Sequence, residues 1–493
     1  MKTSVEGNML PYTNTNSDTP LYLQIVNQLR DMILNGELPD GFKMPSERRM
    51  AELLGVHRNT IKRAYNELKA DAYLTSIERK GFVVSNAKEP PCSAFRNYGL
   101  LWNDLIRDEY LIHRIETHFS SWLKHDVNYS FSGDLFLAEE PESADISRLL
   151  MDLANSADPN KYTISHKQGM FALRKSIANF ARLKGINANP GEIQIVSESF
   201  QAIEYISNLL LQKGDSVIIE EPVCPEIFRI FLSIGAKVIT VDMDENGLIC
   251  DHLESLIIKH RPKIIYTNPD FQNPTGTVMS LERRKELLSL SYRYSIPVIE
   301  EDACSGFRYD NSPLPSLKAL DQHECVIYVH SFYYTLPSGI RIAFIIGNRR
   351  LISDVSAIIQ SRIVCADVIS QQILHQYLEQ SLYQRSLSKM CREYRIKRDL
   401  MFDALEPARS FGIQMRKPDG GLYLWLCLPQ NMSLRKLSIE ANRRDVSFMP
   451  GNMFFLKGSK GENYIRLNYS IPPVDKITHG ISLLNEAFSE SLL

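Results

Sequence analysis

Between Pro45 and Ser85 the chain gathers side chains suited to nucleic-acid phosphate. Eight Lys/Arg stand there against five Asp/Glu, a local net of +3 in a chain whose total is −2. Arg58, Asn59, Lys62, Arg63 and Asn66 fall on one face of a predicted helix, opposite Ile61, Ala64, Tyr65 and Leu68. Guanidinium and carboxamide groups match the paired donors and acceptors of purine edges in a major groove. Basic side chains displace counterions from the phosphates beside them. Arg79-Lys80-Gly81, between two short β-patterns over Tyr73 to Ser85, fits the tip of a basic wing. A small helical subdomain with solvated charges would show the same balance. The eight cysteines are scattered singly, with no C-x-x-C and no metal-ligand spacing, so reduced thiols and a cytoplasmic location are expected, with no metal.

The elements that must position this face follow from periodicity. Ile25, Leu29, Met32 and Ile33 share one side of a helix from Leu21 to Asn35, which Gly36 ends. Ser46 caps a second helix whose Met50, Leu53 and Leu54 point inward, and Gly55 stops it. A third helix opens near Arg58. Helix, short glycine-containing turn and basic second helix make a helix-turn-helix.

Farther along, β-branched runs alternate with amphipathic helices: Ile193–Val196, Ser216–Ile219, Val238–Val241, Lys263–Tyr266, Pro297–Ile299, Val326–Tyr328 and Ile342–Ile346. That rhythm predicts a mostly parallel sheet covered on both faces. The expected organisation is a flexible tail over 1–18, a winged-helix DNA-binding domain over 19–86, a linker with helical segments over 87–124 and a large α/β domain over 125–493. With 44% apolar and 23% charged residues in 493, the composition is that of a globular protein and not of a disordered or fibrous one. No apolar run is long enough to span a bilayer, and the first eighteen residues lack the apolar core of a secretion signal.

The segment PLYLQIVNQLRDMILNGELPDGFKMPSERRMAELLGVHRNTIKRAYNELKADAYLTSIERKGFVV resembles the winged helix-turn-helix of the GntR family of bacterial regulators, through its PSER, LGV-x-R-x-T and A-Y-x-x-L stretches. The resemblance implies DNA contact by Arg48, Arg58, Asn59, Thr60 and Lys62, with Arg79 and Lys80 on the wing. His57 departs from the usual Ser or Thr cap; it could touch a phosphate or cap poorly. Arg79-Lys80-Gly81 departs from the usual Gly-x-Gly at the wing tip.

TNPDFQNPTG, PVIEEDACSGF, SFYYTLPSGIRIAF and YIRLNYS, with PDGGLYLWLCLP and MPGNMFF, resemble in order and spacing the fold-type I pyridoxal-phosphate (PLP) enzymes of the aminotransferase class. A GntR head on such a body is the layout of the MocR subfamily. The resemblance implies a type I transferase fold with a smaller C-terminal α+β subdomain, and a homodimer presenting two recognition helices to double-stranded DNA. It matches Asn273 to the donor for the phenolic oxygen, Ser199 and Arg341 to the phosphate site, and Arg466 to the arginine that takes a substrate carboxylate. The ring-nitrogen carboxylate falls on Glu301, with Asp302 adjacent; neighbouring strand residues face opposite ways, so only one can reach the ring.

Other positions depart from the pattern. The imine lysine falls on Tyr334, and no lysine occurs from Ala319 to Ser388. A phenol forms no imine and cannot serve as the amine base of transamination, so no catalytic residue is expected. Cys224 replaces the stacking aromatic, Cys304 a tyrosine, and Glu198 and Phe200 replace the Gly and Gln around Ser199. The expectation is a regulator sensing a small, carboxylate-bearing metabolite. PLP would be held non-covalently or as an amino-acid adduct, or the cavity has changed to another small carboxylate or amine. Two alternatives are an aminotransferase with an accessory DNA-binding head and a regulator whose large domain is only a dimerisation scaffold.

Overall fold

A computed structural model of the chain describes residues 20–34, 37–71, 73–77, 81–85, 127–133, 143–158, 162–163 and 166–492. The expected tail, the stop at Gly36, the linker over 87–124 and the wing-tip residues Arg79 and Lys80 lie outside the described residues. The chain divides into two compact units, residues 1–106 and 107–493, called here the head and the body.

In the head, α1 (Leu21–Leu34), α2 (Glu47–Leu54) and α3 (Arg58–Ala70) precede an antiparallel hairpin of β1 (Leu74–Ile77) and β2 (Gly81–Val84). The Ser46 hydroxyl accepts the Arg49 N–H at 3.2 Å, and Gly55 leaves α2 at φ +65°, where a glycine pays no steric penalty. Ile25, Val26, Leu29, Met50, Ile61, Ala64, Tyr65 and Leu68 are buried together. Leu53 and Leu54 are only partly buried, and Ala51 takes an inward position beside Met50. The helical period thus puts the apolar stripe of α3 against α1 and α2 and leaves its polar stripe outside.

The body begins with β3 (Tyr129–Ser130) and is built on strands β4 (Ile193–Val196), β5 (Ser216–Glu221), β6 (Lys237–Asp244), β7 (Gly247–Leu248), β8 (Ile264–Thr267), β9 (Val298–Asp302), β10 (Val326–Ser331) and β11 (Ala343–Ile346). The last eight form one sheet in the order β4-β11-β10-β9-β8-β5-β6-β7. Its central pairings, β10 with β9, β9 with β8, β8 with β5 and β5 with β6, are parallel. The flanking pairs with β4, β11 and β7 are antiparallel. Every residue of β8, β9 and β10 is buried, as expected of parallel strands covered by helices on both faces. All seven β-branched runs form strands, each within a few residues of its expected bounds.

A smaller antiparallel sheet follows: β12 (Gln414–Met415), β13 (Tyr423–Cys427), β15 (Met449–Pro450) and β16 (Tyr464–Asn468), in the order β12-β13-β16-β15. β14 (Val446–Ser447) pairs with β3, joining the start of the body to its C-terminal part.

Candidate functional site

Two surfaces carry chemistry. On the head, Arg48, Arg58, Asn59 and Lys62 are exposed and Thr60 is partly buried. The His57 ring accepts the Asn59 N–H through Nδ1 at 3.2 Å, so this histidine caps α3 as a Ser or Thr would. The Arg63 guanidinium lies 3.7 Å from the centre of the Tyr22 ring and donates to its hydroxyl at 3.0 Å. That residue therefore ties α3 to α1. Arg58 donates to the Glu47 carboxylate from Nε at 3.2 Å and Nη2 at 3.1 Å, a contact between α3 and α2 that spacing alone does not reveal.

The body holds a cavity of about 520 Å³. It lies at the carboxyl ends of β8, β9 and β10 and the N-terminus of the helix Ser199–Leu210, the crevice where open α/β sheets bind ligands. Ser199, Asn273, Glu301, Tyr334 and Arg341 all line it. So do Glu198, Glu204, Glu226, Tyr266, Asn268, Cys224, Cys304 and Tyr333.

Strand β9 carries three successive buried carboxyls, and strand alternation divides them. Glu301 faces the cavity and accepts the hydroxyls of Tyr266 and Ser199. Its burial outweighs those two bonds and raises its pKa. Tyr266 pairs with Ile299 across β8 and β9, on the same face as Glu301, and the strand register is the signal that would have found it. The structure corrects the placement of Asp302. Its carboxylate points to the opposite face and accepts Lys184 Nζ and Ser305 Oγ, each at 2.8 Å, and the Tyr328 hydroxyl. Burial alone would raise the pKa of Asp302, but Lys184 and His330 outweigh it and hold the carboxyl well below the usual range. Glu300 also faces away, accepts the N–H groups of Leu317 and Lys318 at 2.8 and 2.7 Å, and is pushed up to about 7 by burial.

Arg466 is likewise displaced from its expected place. It is fully buried and does not line the cavity. Nη1 donates to Asn273 Oδ1 at 2.7 Å and Nη2 to the Ser132 carbonyl at 3.1 Å, with the rings of Tyr423 and Phe454 against its guanidinium. Through the first of these bonds it orients Asn273, which lines the cavity. Under the same floor, Glu220 accepts the Thr267 hydroxyl and the Asn268 N–H, and burial pushes it up to about 7.

The donor set departs from that of a covalently bound PLP at the imine lysine and the stacking ring, while Ser199, Asn273, Glu301 and Arg341 line the cavity. The Tyr334 hydroxyl lies 3.0 Å from that of Tyr423, and no lysine lines the cavity among the described residues. Arg341 already donates to the Glu198 carboxylate, immediately before the first turn of the helix Ser199–Leu210. A phosphate there would bring nearly two negative charges against this carboxylate, a repulsion of several kcal/mol at ~4 Å separation. Cys224, where a stacking ring is expected, instead donates its thiol to Glu226 at 2.8 Å.

Residues 21–84 match the family described as bacterial regulatory proteins, gntR family, and residues 144–482 match aminotransferase class I and II. The uncharacterized HTH-type transcriptional regulator YdfD of Bacillus subtilis is 30% identical over 468 residues, covering 94% of this chain and 95% of its own length. The 2-aminoadipate transaminase of Thermus thermophilus is 30% identical over 366 residues, 73% of this chain and 89% of that protein. Among solved structures, the Pyrococcus horikoshii kynurenine aminotransferase, in complex with PMP, superposes with a TM-score of 0.71 at 27% identity, covering 77% of this chain and 95% of that one. LysN from Thermus thermophilus, complexed with N-(5'-phosphopyridoxyl)-L-leucine, has a TM-score of 0.71 at 27% identity, with 79% and 99% coverage. The class is a gntR DNA-binding domain joined to a type I transferase body. The chain belongs to the aminotransferase class I and II family across most of its length and, with its gntR head, has the MocR-type architecture.

Proposed function

We propose that this chain is a DNA-binding transcriptional regulator of the cytoplasm whose body binds a small-molecule effector and does not transaminate. The observation that carries the reading is Tyr334. It stands where the family's imine lysine belongs, and its hydroxyl is bonded to Tyr423 at the cavity wall. With no primary amine lining the cavity among the described residues, the site can bind and orient a ligand but lacks the lysine that forms an imine and serves as the amine base of transamination.

The polar face of α3 supplies DNA recognition, with Arg58, Asn59, Thr60 and Lys62 as its contacts, Arg48 beside it on α2, and Arg79 and Lys80 on the wing. A two-fold homodimer sets two such faces on a repeated or palindromic site. An effector shifts the balance between arrangements of the heads by binding one of them better.

The test is selection of bound fragments from a genomic library, followed by mobility shifts. Enrichment of a paired-site sequence is expected, and Arg58→Ala should weaken it by about 1–3 kcal/mol, roughly fivefold to 150-fold. Enrichment of no sequence, or steady amino-group exchange by the pure protein with PLP present, would overturn the proposal.

A further inference from the structure

Two thiols, Cys224 and Cys304, line the body's cavity, and they stand in different settings. Cys304 lies in the turn after β9. Cys224 is the N-cap of the nine-residue helix Pro225–Ser233, whose Ile227 N–H donates to the Cys224 carbonyl at 2.9 Å. The stretch before it is fixed at two points. Gln272 Nε2 donates to the Pro222 carbonyl at 2.7 Å, and the Val223 N–H donates to the Phe454 carbonyl at 2.9 Å. The sulfur is thus held at one place on the wall, at the positive end of a helix, where a thiolate is stabilised.

A base stands beside it. Cys224 Sγ donates to Glu226 Oε2 at 2.8 Å, and Glu226 lines the same cavity. At rest this bond keeps the sulfur protonated. As the sulfur attacks, the same carboxylate takes the proton, the contact between nucleophile and base that covalent chemistry needs. A cysteine that only fills space needs neither a base nor a cavity next to it. The surroundings define the ligand. Phe200, Tyr266 and Tyr333 put aromatic rings on the wall, which suits a flat molecule. Arg341 already donates to the Glu198 carboxylate, so an uncharged molecule is better matched than an anion.

From this juxtaposition of thiol, helix N-terminus and carboxylate on one cavity we infer that Cys224 is a covalent acceptor for an uncharged, flat electrophile of the quinone class. The sulfur bonds to a ring carbon, and the ring C=C pair moves onto a carbonyl oxygen. Glu226 takes the thiol proton and passes it to that oxygen. The substituted carbon then loses its own proton to the second oxygen, leaving a hydroquinone thioether. Sulfur supplies the electron pair that reduces the ring, so no outside oxidant or reductant enters. The inference rests on the body being an effector-binding unit and names the chemistry of the effector.

Limiting 1,4-benzoquinone added to the reduced full-length protein, followed by peptide mass mapping over time, tests it. Exposure alone would rank Cys224, at 8%, below the more open Cys325 and Cys365. Cys224 should instead gain the quinone first, at least about tenfold faster than either. Glu226→Gln keeps the size of the side chain and an acceptor for the thiol. It should slow Cys224 at least about tenfold while Cys325 and Cys365 keep their rates, whereas a misfolded variant would speed all of them. First labelling at any other thiol, or a Cys224 rate untouched by Glu226→Gln, would overturn the inference. Neither readout involves DNA, so its failure leaves the DNA-selection test of the regulatory reading standing.

Discussion

The head and the body have kept different things. In the head, the residues expected to touch DNA remain, on a scaffold whose caps and core follow the usual rules: Ser46 and His57 cap their helices, and the apolar stripe of α3 is wholly buried. In the body, the sheet and its connections remain, with TM-scores of 0.71 to aminotransferase structures, while Tyr334 and Cys224 stand where the resemblance expects an imine lysine and a stacking ring. A scaffold needs only apolar side chains of suitable volume at the correct period, which many sequences satisfy. A covalently held cofactor needs a particular atom at a particular point, and a phenol such as that of Tyr334 forms no imine.

The comparison breaks most sharply at Ile61, fully buried in α3. Ile61→Ala should cost the head about 2–5 kcal/mol and abolish DNA binding while the body's ligand binding persists. Urea unfolding followed by a probe in each unit measures this, and parallel loss of both functions would mean that the units do not fold separately.

Next in size is a pH effect confined to the body. Glu220 is pushed up to about 7 by burial, so between its unfolded value of 4.5 and about 7 the folded protein holds a proton that the unfolded chain has released. Stability from this group is therefore present at low pH and falls as pH rises through that window, by an amount on the order of 3 kcal/mol. Glu220→Gln should make the slope in stability measured from pH 4.5 to 7.5 shallower, with Glu300 supplying part of what remains; an unchanged slope would assign the proton elsewhere.

The smallest effect is at Glu47. Glu47→Gln releases Arg58 from a half-exposed ion pair worth under ~1 kcal/mol. Operator affinity in a mobility shift should rise by a few-fold at most. A fall would show that Glu47 positions Arg58 for DNA rather than competing with it.

Much of this was legible in the sequence because it depends on period and composition. Burial at Ile61, Ala64, Tyr65 and Leu68 follows from helical spacing, and the seven strands follow from β-branched runs between amphipathic helices. What escaped depends on partners distant along the chain. Alternation says that Glu301 and Asp302 face apart, but only Lys184, more than a hundred residues away, and Tyr266 decide which carboxyl faces the cavity. The resemblance matches Arg466 to a carboxylate-binding arginine, and only the folded chain shows that it also holds Asn273. The sequence places Glu198 beside Ser199, but its pairing with Arg341, 143 residues away, is visible only in the fold.

The forked guanidinium of Arg466 has a mechanical corollary. One prong grips an amide in the cavity wall, the other the carbonyl of Ser132, on the stretch by which the polypeptide first enters the body's fold. Pulling Asn273 inward strains that second grip, and releasing either strands a polar group in a dry interior at a cost of about 1–3 kcal/mol. The backbone beside β3 is thereby tethered to the wall of the cavity.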